Sequence, residues 1–486
     1  MRALALLGIV VTLAGCVAPG VSPTTTPPLP SAADLPRPEL LPLSFDAPVL
    51  LEPIGGTEPN VRADAQDRIF VTTTGTNLWR SLDGGASFEA MGEAICNAAP
   101  PASLLPGCPT GADRDSGLEG GGDGALVLDG QGRLHWAGLF GPNASVPYQF
   151  SDDQGATWSD AFDLADGNST DREWLAVAPN GTTIYALWRD SGAPQQGGGL
   201  LAPATPTPVG LRFRASHDRG LTWGPIVAVE DEDPVDGPLA VDPVSGALYV
   251  AVSYFDGRPV TVLRSFDAGA TWDAVPLPAA TGQPAFGGIM HFIFPLVAVD
   301  AAGTVYAAWS EDPEAAPQLW TLGGKSVMTP KVFLSVSKDR GATWSAAMRM
   351  SPPDRAAVLP ALVAGAPGRV ALGWYEAATP LPSDVLPNEW FVRLATTVTA
   401  DQAEPAWEIA STTSEPIHFG SICTQGTGCT VGDRTRGDFF EIALRPNGLP
   451  IVGYVQDSIP PNESQRRTQV VVARVAEGTP LLAVAG

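Results

Sequence analysis

Carboxyls, arginines and a few tyrosines are the side chains in this chain that could do chemistry together. Glu58, Asp123, the run Asp171-Arg172-Glu173, Asp236 and Asp438 each stand where a short apolar segment begins. Asp190, Asp256, Glu311, Asp312, Glu376 and Asp457 stand where the following apolar segment ends. Grouped carboxyls serve two chemistries, acid–base cleavage of a glycosidic bond and calcium coordination through oxygen. Arg62, Arg114, Arg172, Arg434 and Arg436 punctuate the same positions. Their planar forks match carboxylates, on a ligand or on the neighbouring Asp and Glu. Tyr375 stands beside Glu376, although adjacent strand residues point to opposite faces.

Other reaction classes lack their residues. The chain has four histidines, at 135, 217, 291 and 418, and no His-Glu-x-x-His, which argues against a zinc hydrolase. His291, near the start of an apolar segment, is the one placed to join a site. There is no Gly-x-Ser-x-Gly elbow. Gly323-Gly-Lys-Ser326 lacks the upstream glycine of a phosphate loop, and Gly120-Gly-Gly-Asp-Gly124 reads as a flexible lead into a strand. A net charge of −24 and a pI near 4.4 argue against nucleic acid or an anionic membrane surface as partner.

The elements that position these groups announce themselves by repetition. One pattern, Ser-x-Asp-x-Gly-x-Thr/Ser-Trp/Phe, occurs five times. It runs Ser81 to Phe88, Ser151 to Trp158, Ser216 to Trp223, Ser265 to Trp272 and Ser337 to Trp344. Its aspartates are Asp83, Asp153, Asp218, Asp267 and Asp339. Asp and Ser accept hydrogen bonds from turn N–H groups, Gly takes positive φ, and the aromatic opens the next strand. The pattern resembles the Asp-box, or BNR, repeat of the sialidase superfamily, and the resemblance implies an all-β propeller with the boxes as structural turns. Asp171-Arg-Glu-Trp-Leu-Ala-Val177 is similar to a segment of exported sialidase-like proteins.

Seven strand–turn–strand units follow, beginning near Val61, Ala125, Trp174, Leu239, Leu296, Ala361 and Phe439. A box follows each of the first five, and the sixth has a decayed equivalent between Ala395 and Trp407. This predicts seven four-stranded antiparallel blades, where the family usually has six. The seventh runs out of chain after three strands. Phe45–Leu51 is predicted to supply the fourth, against Gln469–Val475, and so to remove the open edges. With boxes on one face, the longer loops and the carboxyls fall on the other, where function is expected.

The resemblance also implies sialidase chemistry, in which three arginines grip the substrate carboxylate, a Tyr activated by a Glu attacks and an Asp is the acid/base. Carried to this chain, Asp171, Arg172, Glu173, Tyr375 and Glu376 are the catalytic candidates. Arg62, Asp123, Asp236, His291, Arg434, Arg436 and Asp438 are the binding candidates. The chain departs from the family in having no Phe/Tyr-Arg-Ile-Pro; Asn60-Val-Arg62-Ala is the nearest approach. The functional expectation is a cell-surface propeller that binds acidic glycans at the channel mouth, with hydrolysis, of the sialidase type if the chain is catalytic, left open. The alternative is a non-catalytic scaffold binding a protein or polysaccharide. Calcium is the one cofactor the carboxyls suggest, and a monomer is expected.

The first residues read as an export signal. Arg2 precedes the apolar run Ala3 to Val11, and Leu13-Ala-Gly-Cys16 resembles a lipobox, making Cys16 the lipidation site. Residues 1–16 are the expected signal, 17–42 a Pro/Thr/Ser-rich tether and 43–486 the propeller, anchored by lipid to the outer face of a prokaryotic membrane without a spanning helix. Four cysteines remain for that oxidising setting, with Cys96–Cys108 and Cys423–Cys429 favoured by proximity among three pairings.

Overall fold

A computed structural model describes residues 37–483, apart from 53–55, 75–76, 92–122, 140–145, 167–169, 192–208, 255–257, 281–292, 314–327, 384, 386–387, 425–432 and 458–467. The expected signal, Cys16, Arg114, His291, Cys96, Cys108 and Cys429 lie outside these residues. Cys423 is disulfide-bonded. Among the described residues no helix is long and apolar enough to cross a membrane.

Seven antiparallel sheets form the molecule. Their innermost strands are Asn60–Ala63, Gly124–Leu128, Thr170–Val177, Val235–Asp236 with Ala240–Val241, Leu296–Val299, Ala357–Ala364 and Glu441–Leu444. Each touches the next in order, and the seventh touches the first, so the sheets are the blades of a closed seven-bladed propeller. The cause is in the composition. Second strands such as Leu248–Ser253 and Val370–Ala377 are buried along their whole length. Both faces are apolar, so each sheet must be covered on both sides. Seven apolar clusters do this, one in each seam between neighbouring blades.

The ring closes as the sequence predicts. Ser44 and Phe45 pair with Glu477 and Val475, and Val49 and Leu50 pair with Val472 and Val471. The N–H groups of Asp46 and Leu51 continue the ladder to the carbonyls of Arg474 and Val470, both at 3.0 Å. The end of the stretch expected as tether contacts the blades. Arg37 makes a two-pronged pair with Asp401 (2.7 and 2.6 Å), and Leu41 donates its N–H to Thr479 (2.7 Å), so residues 37–42 are docked on the blades and are not tether.

The five boxes are turns between third and fourth strands. In each, the Ser Oγ accepts the Gly N–H at 2.7–2.9 Å. The Asp takes the Thr or Ser N–H at 2.8–2.9 Å and the hydroxyl at 2.6 Å. The box glycines have φ between 79 and 90°. They also need to lack a side chain. A Cβ on Gly155, Gly220 or Gly269 would meet Leu78, Tyr148 or Phe213 of the preceding blade at 2.4, 1.7 or 2.1 Å. The box is therefore a blade-to-blade contact as well as a turn.

Three blades repeat a second device at the end of the second strand, a Trp whose indole N–H donates to a carboxylate two residues on. Trp188 donates to Asp190 (3.1 Å), Trp309 to Glu311 (2.9 Å) and Trp374 to Glu376 (3.1 Å). Side chains two apart share a face of a strand, so the pair forms within one blade.

Candidate functional site

The face opposite the boxes gathers charge around Arg172. In strand Thr170–Val177, Asp171 pairs with Arg189 and Glu173 with Trp188, so Arg172 is the extra residue of a bulge. Its φ is 58°, a left-handed conformation that a non-glycine residue adopts at a cost. The bulge aims a 7 % exposed guanidinium into the ring. There its Nη2 lies 3.2 Å from Asp438, its Nη1 3.8 Å from Asp123 and its Nε 3.9 Å from Asp171. The guanidinium carbon sits 4.1 Å from the centre of the Phe294 ring. Burial opposes the cation, but Asp438, Asp123, Asp171 and Glu58 outweigh it and raise its pKa.

The partners arrive from several blades. Asp438 precedes blade seven and also accepts Arg434 at 2.7 Å. Its backbone N–H donates to Glu58 (2.8 Å), which precedes blade one with φ 56°. Gly437, at φ 72°, must be glycine, because a Cβ would lie 2.4 Å from the Glu58 side chain. Burial and the carboxyls of Asp123 and Asp438 push the pKa of Glu58 well up, and burial also raises that of Asp123. Beside them, Arg189 spans Asp233 (2.6 Å) and Asp171 (3.2 Å).

Glu173 and Asp236 complete the group. Glu173 is 2 % exposed, neither of its carboxyl oxygens has a hydrogen-bond partner on another residue, and burial with Asp123 nearby raises its pKa well above the ordinary carboxyl range. Asp236 is fully buried and accepts the Trp174 indole N–H at 3.1 Å through one oxygen, leaving the other unpartnered. Burial pushes it up to about 7 against the pull of Arg189 and Arg172. Below this group Trp174, Phe294 and Phe439 meet from blades three, five and seven, with ring centres 5.4, 5.4 and 6.0 Å apart.

These shifts set a pH dependence. A carboxyl whose pKa is raised on folding stabilises the fold below its unfolded value, and that contribution is lost as pH rises through the folded value. For Asp236 the window runs from 3.8 to about 7. The box residues Asp83, Asp267 and Asp339 lie at about 2 through their hydroxyl and N–H donors, so their contribution is lost as pH falls from 3.8 towards 2. The thermal midpoint is expected to peak between these limbs and to fall from pH 5 to pH 8. Asp236→Asn, which keeps an acceptor for Trp174, should flatten the upper limb by a few kcal/mol. An unchanged slope would refute the assignment.

The structure thus brings Asp123, Asp171, Arg172, Glu173, Asp236, Arg434 and Asp438 together, with Glu58 and Arg189. It does not bring the remaining described candidates. Arg62 pairs with Glu441. Arg436 pairs with Asp457 and donates to the Val455 carbonyl (2.9 Å). The Tyr375–Glu376 pair is corrected. Tyr375 is fully buried and its hydroxyl accepts the Val455 N–H at 3.0 Å, in the seam with blade seven. Glu376 turns the other way, to Trp374 and to Arg393 (3.0 Å). A Tyr–Glu contact does exist between blades four and three, where Tyr254 donates to Glu230 at 3.0 Å. Burial and Glu230 raise that hydroxyl, the reverse of activation.

Sequence reasoning missed His418. Its Nδ1 lies 2.5 Å from Asp457 and its Nε2 3.1 Å from the Ser421 carbonyl, with Asp433 at 3.8 Å. His418, Asp433 and Asp457 are, among the described residues, the one set of potential metal-ligand atoms within 4.8 Å of one another. Both ring nitrogens already have a protein neighbour, Nδ1 the Asp457 carboxyl and Nε2 the Ser421 carbonyl. Among the described residues the carboxyls around Arg172 form no such set.

No family profile and no curated protein matches the chain. Solved structures of similar fold include YCF48 bound to D1 peptide, at 11 % identity over 90 % of this chain and 100 % of that one, TM-score 0.45. The Hadza microbial sialidase Hz136 is similar at 14 % identity over 85 % and 74 %, TM-score 0.45. The leech intramolecular trans-sialidase is similar at 11 % over 81 % and 79 %, TM-score 0.43. At these identities the likeness concerns the fold alone.

Proposed function

We propose that this is a glycan-binding, sialidase-like propeller whose site is the ring mouth around Arg172 and that cleaves its ligand with carboxyls. Glu173 carries the reading. It is a buried carboxyl that no other residue hydrogen-bonds, and burial raises its pKa well above the ordinary carboxyl range. Protonation of a glycosidic oxygen calls for such an acid, and Asp171 and Asp123 beside Arg172 supply the second carboxyl that the reaction needs. Sialidase chemistry proper has little support: Arg62, Arg172, Arg434 and Arg436 are each committed to a carboxylate, and Tyr375 is a seam residue.

The test is release of 4-methylumbelliferone from a panel of sialosides and uncharged glycosides. Turnover that drops about 100-fold or more in Glu173→Gln supports the reading. The close burial of Arg172, Glu173 and Asp236 favours one second reading, a scaffold that binds without cleaving. It predicts glycan binding with no turnover. Neither turnover nor binding would overturn both. Export and the lipid anchor at Cys16 are part of the proposal, tested by radiolabelled palmitate incorporation with Cys16→Ser as control.

A further inference from the structure

We propose that the ligand of the mouth is an uncharged, hydroxyl-rich sugar, which deepens the reading above and rests on it. Two independent observations lead there. The first is charge matching. Arg172 has Asp438, Asp123 and Asp171 around it, Arg434 holds Asp438, and Arg189 holds Asp171 and Asp233. A ligand carboxylate would have to displace one of these and would meet Glu58, Glu173 and Asp236 as well. A ligand cation would meet Arg172 and Arg434. Neither sign finds an uncompensated partner.

The second observation is the set of buried polar atoms that the protein leaves without hydrogen bonds. Two are donors, Nε and Nη1 of Arg172. Four are carboxyl oxygens, both of Glu173, Oδ1 of Asp236 and Oε2 of Glu58. Orphaned buried groups each cost about 1–3 kcal/mol, so a cluster of them marks a place built to be filled. Donors and acceptors stand side by side. A hydroxyl both gives and takes a hydrogen bond, and a sugar presents several in fixed geometry. A carboxylate or phosphate only accepts, and an ammonium only donates. The mixed set fits the hydroxyls of a neutral sugar.

A glycan array carrying sialylated, uronate-containing and uncharged oligosaccharides, probed with the purified full chain, separates the outcomes. Binding to uncharged oligosaccharides is expected, with affinity changing less than about twofold between 0.05 and 0.5 M NaCl, since no net charge is exchanged. Glu173→Gln and, separately, Asp236→Asn should each weaken it about tenfold or more. Circular dichroism checks that each variant is folded, and either folded variant suffices. Binding only to sialylated or uronate glycans, weakening with salt, would overturn this inference and leave the mouth as a glycan site. Binding that both folded variants retain unchanged would overturn it too. No binding to any glycan would overturn the underlying reading, leaving water as what fills the cluster.

Discussion

Arg172→Ala should cost about 3 kcal/mol of stability. Removing the guanidinium leaves Asp438, Asp123 and Asp171 facing one another, with Glu58 and Glu173 close by. An uncompensated buried charge is what makes breaking one half of a buried pair expensive. The figure sits at the low end because Arg434 still holds Asp438. Asp123 and Glu58, whose raised pKa values Arg172 now holds down, would rise further, so the loss should grow between pH 5 and pH 8. Urea unfolding of the variant at both pH values measures it. Asp438→Asn in the same chain should restore part of the loss. A variant as stable as the parent at pH 8 would mean that the cluster is not electrostatically held.

Deleting residues 1–51 should abolish cooperative folding, a larger effect. The deletion uncovers the outer edge of Thr468–Glu477, a strand of ten residues, and removes Leu51, which is 1 % exposed. It also removes Leu43 and Phe45 from the seam between blades six and seven, and Asp46 from Arg474 at 2.8 Å. A long bare strand edge is a template for aggregation. Deleting 1–36 alone should leave the thermal midpoint unchanged. A permutant carrying residues 37–52 after residue 483 through a Gly/Ser linker should recover it, because the strand and not its place in the chain is required. A midpoint within about 3 °C of the parent after the larger deletion would refute the closure.

The fold was legible because its signals are local. Ser, Asp and Gly of each box bond within five residues, so type and spacing alone specify the turn. Strand alternation also told correctly that Tyr375 and Glu376 part company. The Trp-x-Asp/Glu device was equally open to reading in Trp188-Arg-Asp190, Trp309-Ser-Glu311 and Trp374-Tyr-Glu376, and would have assigned Glu376 a structural role. The site was half legible. Carboxyls at strand starts suggested the mouth, but no residue type announces that Arg172 and Glu58 adopt positive φ, and those two conformations decide who meets whom. His418 and Asp457 are 39 residues apart and on different blades, so only the finished ring joins them.

The rings of Trp174, Phe294 and Phe439 have one more effect. Drawn from blades three, five and seven, none of which neighbours another, they meet with centres 5.4 to 6.0 Å apart. Edge-to-face aromatic pairs each contribute about 0.5–1.5 kcal/mol beyond their buried area. The trio is therefore a cross-brace, a tie between sheets that share no seam, and loosening one of the three sheets should be felt by the other two.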